Sequence, residues 1–149
     1  MPLSHRPAPL HDLALLALRV GLGVVMVAHG WQKWTGGGID GTAQGFEGNG
    51  IPLATVAATF AIAVELVGGV AIIVGALTPL FAVGFAATMV GAMVFVHGGS
   101  GFYAATGGYE LVLLLGIVAL VVAAAGPGRF SVDHLLGRKR SRSRDAVAA

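Results

Sequence analysis

The 149-residue chain contains no cysteine. It therefore forms no disulfide, ligates no iron–sulfur cluster through thiolates and offers no thiol for exchange. Charge is also scarce: 11% of residues are Asp, Glu, Lys or Arg, against about 25% in soluble domains. What fills the space is apolar. Hydrophobic residues make up 56% of the chain, there are 24 glycines, and the mean hydropathy is +0.84. A soluble fold of this composition would expose apolar patches too large to stay in solution. The composition points to a membrane protein of one domain.

The net charge of +2 is a property of one segment. Five of the nine basic residues fall in "RKRSRSR" (138–144). Without it, four Lys/Arg face seven Asp/Glu, a balance of −3. The basicity is a tail, not a nucleic-acid footprint, and no nucleic-acid partner is expected. A cleavable signal peptide is not expected either. The first apolar run is too long, holds Arg19 and lacks a small-x-small site.

A membrane helix needs about 20 mostly apolar residues. Four runs meet or approach that length: 13–34, 53–76, 79–97 and 109–125. Their punctuation agrees. Pro52 begins the second run, Thr78 and Pro79 supply an N-cap and N1 for the third, and "GPGRFS" stops the fourth. The outer loop, 35–52, carries seven glycines and has room for a short interfacial helix near 42–47. The expected fold is all-α, a transmembrane four-helix bundle over 13–137. A flank (1–12) precedes it and a disordered basic tail (138–149) follows. Basic residues concentrate at both ends, with Arg6 on one side and Arg129 and the tail on the other. Both termini are therefore expected in the cytoplasm, in a multi-pass protein of the cell membrane. The tail serves first as a topology signal; an anionic-lipid contact is its alternative use.

Insertion of a charge at a helix centre costs about 2.5 to 3.5 kcal/mol, so the ionisable residues of the runs stand out: Arg19, His29, Lys33, Glu65, His97 and Glu110. Threading them through four alternating spans puts Arg19 and Glu65 within a few Å in depth, which predicts an Arg19–Glu65 ion pair. The same threading brings His29, Gln32, Lys33, His97 and Glu110 to one level at the outer face. Arg19, Gly23, Met26, Gly30 and Lys33 share one helical face. Ala58, Ala61, Glu65 and Gly69 share another, and Gly84, Thr88 and Gly91 a third. Polar residues thus lie on small-residue faces, where membrane helices approach closely.

Other readings of these residues stay open. Trp31 and Trp34 suit an aromatic belt, and Lys33 a snorkelling anchor. His29 and His97 sit at helix ends, where water-facing residues are ordinary. Two histidines at one level could ligate haem or a metal, but no ligand-spacing motif accompanies them, and no metal site is expected. "GLGVVM" (21–26) follows no strand and lacks a third glycine, so it is no nucleotide fingerprint.

In their order and spacing, several pieces of the chain resemble the DoxX family of small four-helix membrane proteins. They are Arg19 followed by "HGWQK" (29–33), "GFEGNGIP" (45–52), "ELVGGVAIIVGALTP" (65–79), His97, "GGYE" (107–110) and "GPGRFSVD" (126–133). The tail beyond Gly137 lies outside the pattern. The resemblance implies a subunit of a membrane oxidoreductase system, linked to quinones or to oxidative stress and thiol balance. Two site assignments follow as expectations. His29, His97 and Glu110 are candidates for proton transfer. Lys33 and Gln32, with His29 and His97, are candidates for holding a ligand such as a quinone. Soluble redox enzymes, another membrane subunit or a second copy of the chain would be partners. A non-enzymatic scaffold for such enzymes, or a small-solute or proton transporter, would use the same intramembrane charges.

Overall fold

The computed structural model describes residues 8–137; the basic tail expected over 138–149 lies outside them. Among the described residues the chain is all-helical, without strands. Three helical stretches are long and apolar enough to cross a membrane: Pro9–Thr35, Ala54–Val74 and Thr78–Ser100. A fourth, Glu110–Ala125, is apolar but shorter. At 1.5 Å per residue its 16 residues reach about 24 Å, a little under the thickness of a hydrocarbon core.

The first stretch is one helix, α1 (Ala8–Thr35). It starts five residues before the apolar run and takes in Asp12, which is held inside the fold rather than left in solvent. The outer loop folds into α2 (Gly38–Gly48), of which only Ala43 is buried. The second span is composite. It begins as α3 (Ala54–Ala63), passes through a π-helical turn (Val64–Gly68) and ends as α4 (Gly69–Val74). The third span does the same: α5 (Thr78–Gly91) runs into a π-helical segment (Ala92–His97). Two short 3-10 turns, Gly98–Ser100 and Ala104–Thr106, lead to α6 (Glu110–Ala125).

Glycines set the spacing of the first two spans. A Cβ on Gly23 would sit 2.7 Å from the Gly69 carbonyl oxygen, and one on Gly30 would sit 2.8 Å from Glu65 Cβ. The face carrying Gly23, Met26, Gly30 and Lys33 is thus the one that meets the second span, as the small-residue pattern predicts. The core lies mid-bundle: Leu22, Met26, Val64, Ile72, Ala82, Phe85, Ala119 and Val122 come from all four apolar stretches.

The end of the bundle where the described residues begin and end is closed by a clasp. Arg19, 1% exposed, donates from Nε to the Ile72 carbonyl (3.1 Å) and from Nη2 to those of Ile73 (3.0 Å) and Phe130 (2.9 Å). Its Nη1 donates to the Pro127 carbonyl. Two of these carbonyls belong to the C-terminal turn of α4, where a cation also meets the negative end of the helix dipole. Gly75 follows in the left-handed region, φ 76°, and a Cβ there would fall 2.9 Å from Arg19 Nη2. Arg19 therefore needs a glycine at this turn. Asp133 completes the clasp by accepting from the Leu77 and Thr78 N–H groups (3.1 and 3.3 Å). This corrects the expected Thr78 N-cap: the carboxylate of Asp133 caps α5, and Thr78 Oγ1 has no partner. Asp12 ties α1 to the same segment through the Arg129 N–H (3.3 Å).

Candidate functional site

Above the core, at the end away from the termini, the spans part around a cavity of about 490 Å³. Phe85, shared with the core, lies at its floor. Phe46 of α2 and Ile51 line it from the outer loop, and Ala104, Gly107 and Gly108 from the loop before α6. The lining is mostly apolar. Four ionisable side chains reach it: His29 and Lys33 from α1, Glu65 from the π-helical turn of the second span, and His97 from the end of the third. A few convergent polar groups in an apolar cavity are the usual composition of a small-molecule site.

The ion pair in this site differs from the expected one. Lys33 Nζ donates to both oxygens of Glu65, at 2.8 and 2.7 Å. Arg19 does not touch Glu65. The reason is register. Gly30 is the α1 residue level with Glu65, and Arg19 lies eleven residues below Gly30, about 16 Å along the helix axis. No arginine side chain spans that. Equal depths for Arg19 and Glu65 require both helices to start from matched surfaces. In the structure α1 ends lower, and α2 packs beside the first turns of α3. Glu65 is 3% exposed and Lys33 26%. The carboxylate is the buried partner, and the ammonium reaches it from the cavity side. Two of the three Lys33 donors are engaged, leaving one N–H for a ligand.

His97 is fixed from above. Its Nδ1 lies 2.7 Å from the Gly107 carbonyl oxygen. A carbonyl only accepts, so Nδ1 carries the proton and Nε2 is left with its lone pair in the neutral ring. His29 lines the cavity from α1 but is itself exposed.

Two expected members stand elsewhere. Gln32 is exposed and does not line the cavity; it lies one residue round the helix from Lys33, about 100° away. Glu110 accepts from the Ala104 N–H through Oε1 (2.8 Å). It braces the preceding loop, whose backbone also pairs Tyr109 with Gly101 and Glu110 with Phe102. Among the described residues no group of three or more His, Cys, Asp or Glu is placed to hold a metal. Reading the sequence missed the aromatic lining from Phe46, Phe60, Phe85 and Phe95. It also missed the two π-helical segments that deliver Glu65 and His97. Such segments recur at functional sites, but apolar periodicity gives no signal for them.

Comparison with known proteins agrees with this architecture. The chain is 34% identical to the inner membrane protein YqjF of Escherichia coli over 137 residues, covering 87% of this chain and 97% of that protein. It is 32% identical to a Bacillus subtilis protein named "Putative oxidoreductase CatD" over 122 residues, 82% of this chain and 86% of the relative. It is 33% identical to the uncharacterized membrane protein Rv3486 of Mycobacterium tuberculosis, over 85% of this chain and 83% of the relative. No solved structure matches the chain. The DoxX family model matches residues 14–98, which carry most of the first three spans and all four ionisable residues of the cavity; the chain is a membrane protein of the DoxX family.

Proposed function

We propose that the cavity is a quinone-headgroup site and that the protein is the membrane subunit of an oxidoreductase system in the cytoplasmic membrane. The observation that carries this reading is one apolar cavity of about 490 Å³ in which an ammonium and two imidazoles converge. The donor set fits the group. A quinone ring asks for aromatic and aliphatic walls, for donors to its carbonyl oxygens and for a group that exchanges protons. Bound there, it supplies a two-electron, two-proton couple that a chain without cysteine does not carry itself. One relative bears the name of an oxidoreductase.

The residues divide the work by their chemistry. Lys33, oriented by Glu65, uses its remaining N–H to hold a carbonyl or anionic oxygen. His97, its Nδ1–H engaged by Gly107, offers Nε2 to accept a proton from a hydroxyl and to return it. His29, exposed on the rim, exchanges protons with the surroundings. Glu110 has no chemical part in this scheme; it fixes the loop whose Gly107 orients His97.

The test is quinone-dependent activity and quinone binding of the purified protein with any co-purifying subunit. His97→Ala and Lys33→Ala should each lower apparent affinity or turnover about tenfold or more, the loss of one hydrogen bond to a charged or polarised group. Unchanged behaviour in both variants rejects the site.

A further inference from the structure

The cavity has an opening that the functional reading does not use. α5 meets the second span at Gly84, where a Cβ would lie 3.4 Å from Val64 of the π-helical turn and 3.8 Å from Phe60 of α3. Two turns further along α5 they have parted: a Cβ on Gly91 would meet nothing within 4 Å. From Gly84 upward the rims are Ala57 and Phe60 on α3, and Ala87, Gly91 and Phe95 on the third span. All five line the cavity, yet Phe60 is 47% and Phe95 40% exposed. The same side chains face inside and outside, which makes this gap a doorway rather than a wall.

Its depth decides what it faces. Phe60 lies six residues into the second span, about 9 Å from its start. Phe95 lies five residues before the end of the third, at Ser100, or about 7 Å. Both are inside the spans, so the gap opens to acyl chains and not to water. The ionisable groups stand off the rims: His29 and Lys33 on α1, Glu65 on the π-helical turn and His97 two residues beyond Phe95 at the top of the third span. A molecule filling the site would therefore set a polar head against Lys33 and His97 and lead an apolar chain out between Phe60 and Phe95.

We propose that the gap between α3 and α5 is a lateral portal through which a prenyl-tailed quinone enters from the bilayer and in which its tail stays lodged. This rests on the quinone-headgroup reading and adds its route and its tail subsite. The occupant follows from the shape: the opening is apolar along its rims, lies at acyl-chain depth and is continuous with a headgroup chamber. Small residues at Ala87 and Gly91 leave the width for a chain, and Phe60 and Phe95 supply aromatic edges for it to lie against.

The experiment compares two probes on the full-length protein in nanodiscs. One is a dimethoxy-methyl-benzoquinone with no side chain; the other is the same ring with a decyl chain. The variants are Gly91→Trp and Ala87→Phe, which fill the portal, and Val83→Trp, exposed on the same helix but off the lining. The portal variants should weaken the decyl quinone about tenfold, the worth of roughly two buried methylenes, and leave the tailless ring within about twofold. Val83→Trp should change neither. Three outcomes overturn the portal: equal loss of both probes, no loss of either, or a phospholipid in native mass spectra that the decyl quinone fails to displace. If wild type binds neither probe, the headgroup reading falls, and the portal with it. A portal variant that loses its thermal transition is set aside for the other, which changes a different rim position.

Discussion

Lys33 and Glu65 form a polar pair of unequal burial inside a membrane protein. The carboxylate is nearly sealed, while the ammonium keeps a side open to the cavity. Removing one partner leaves the other without compensation, and the penalty follows burial. Lys33→Met strands a sealed charge and should cost about 3 kcal/mol. Glu65→Leu strands a lysine that snorkels along its own stem, so it should cost less. The double variant should return to within about 1 kcal/mol of wild type, since a matched apolar pair needs no partner. Thermal unfolding of the four proteins in one detergent measures all of this; simple additivity would show that the two residues act separately. Arg19 behaves differently at the same scale. Its planar fork serves four carbonyls on two segments, and lysine has neither the shape nor the number of donors. Arg19→Lys should therefore be nearly as damaging as Arg19→Gln, with both lowering the yield of folded protein in membranes. Rescue by lysine would show that charge alone is what the clasp needs.

Helices carry the second kind of information. α1 and the second span meet backbone to backbone because Gly23, Gly30 and Gly69 leave room. Gly30 lies directly against the residue that holds Lys33: a Cβ there would sit 2.8 Å from Glu65 Cβ and 3.0 Å from the Leu66 nitrogen. Neither neighbour is the free end of a flexible chain, so the helices must separate. Gly30→Ala should cost about 1 to 3 kcal/mol of stability, and Gly30→Val more. At Gly91, which faces open space, alanine should be tolerated. Detergent melting curves of the three variants check the contrast. The face was readable from the spacing of small residues. The level at which each residue meets its partner was not. Depth counted from span ends assumes that the helices start together, and α1 and α3 do not. That offset turned a predicted Arg19–Glu65 contact into two separate arrangements about 16 Å apart in depth.

Across the described residues the buried polar side chains sort into two layers with an apolar core between them. One layer is the clasp of Asp12, Arg19, Arg129 and Asp133, which joins the two ends of the domain. The other is the cavity. If all four apolar helices span, both termini lie on one face, and the basic flanks lead us to propose that this face is cytoplasmic. Fusions of a cytoplasm-active reporter to either end should be active, and a periplasm-active reporter at either end silent; opposite signals at the two ends would reject four spans. The clasp also predicts a long-range effect. Asp133→Ala uncaps α5 from more than fifty residues away in sequence, at about 1 kcal/mol, although it lies at the opposite end of the bundle from the cavity. Quinone binding by that variant should match wild type when both are compared below the melting transition.

Composition, run length and punctuation made legible what does not depend on neighbours: a helical membrane domain, its long apolar helices and the face on which α1 meets the second span, whereas the small-residue face of α5 packs closely at Gly84 but not at Gly91. The convergence of His29, Lys33 and His97 was also legible, because alternating spans return distant residues to one level. Tertiary structure decided the partners. It gave Glu65 to Lys33 and Arg19 to four carbonyls. It set Glu110 to bracing a loop and turned Gln32 outward. It also opened the gap between Phe60 and Phe95. The physical reason is one of length scale. A span is recognised by burial averaged over about 20 residues, whereas a hydrogen bond is made or lost within about 1 Å. Helix register, local π-helical turns and the offset between neighbouring helices all act at that finer scale, and apolar periodicity does not encode them.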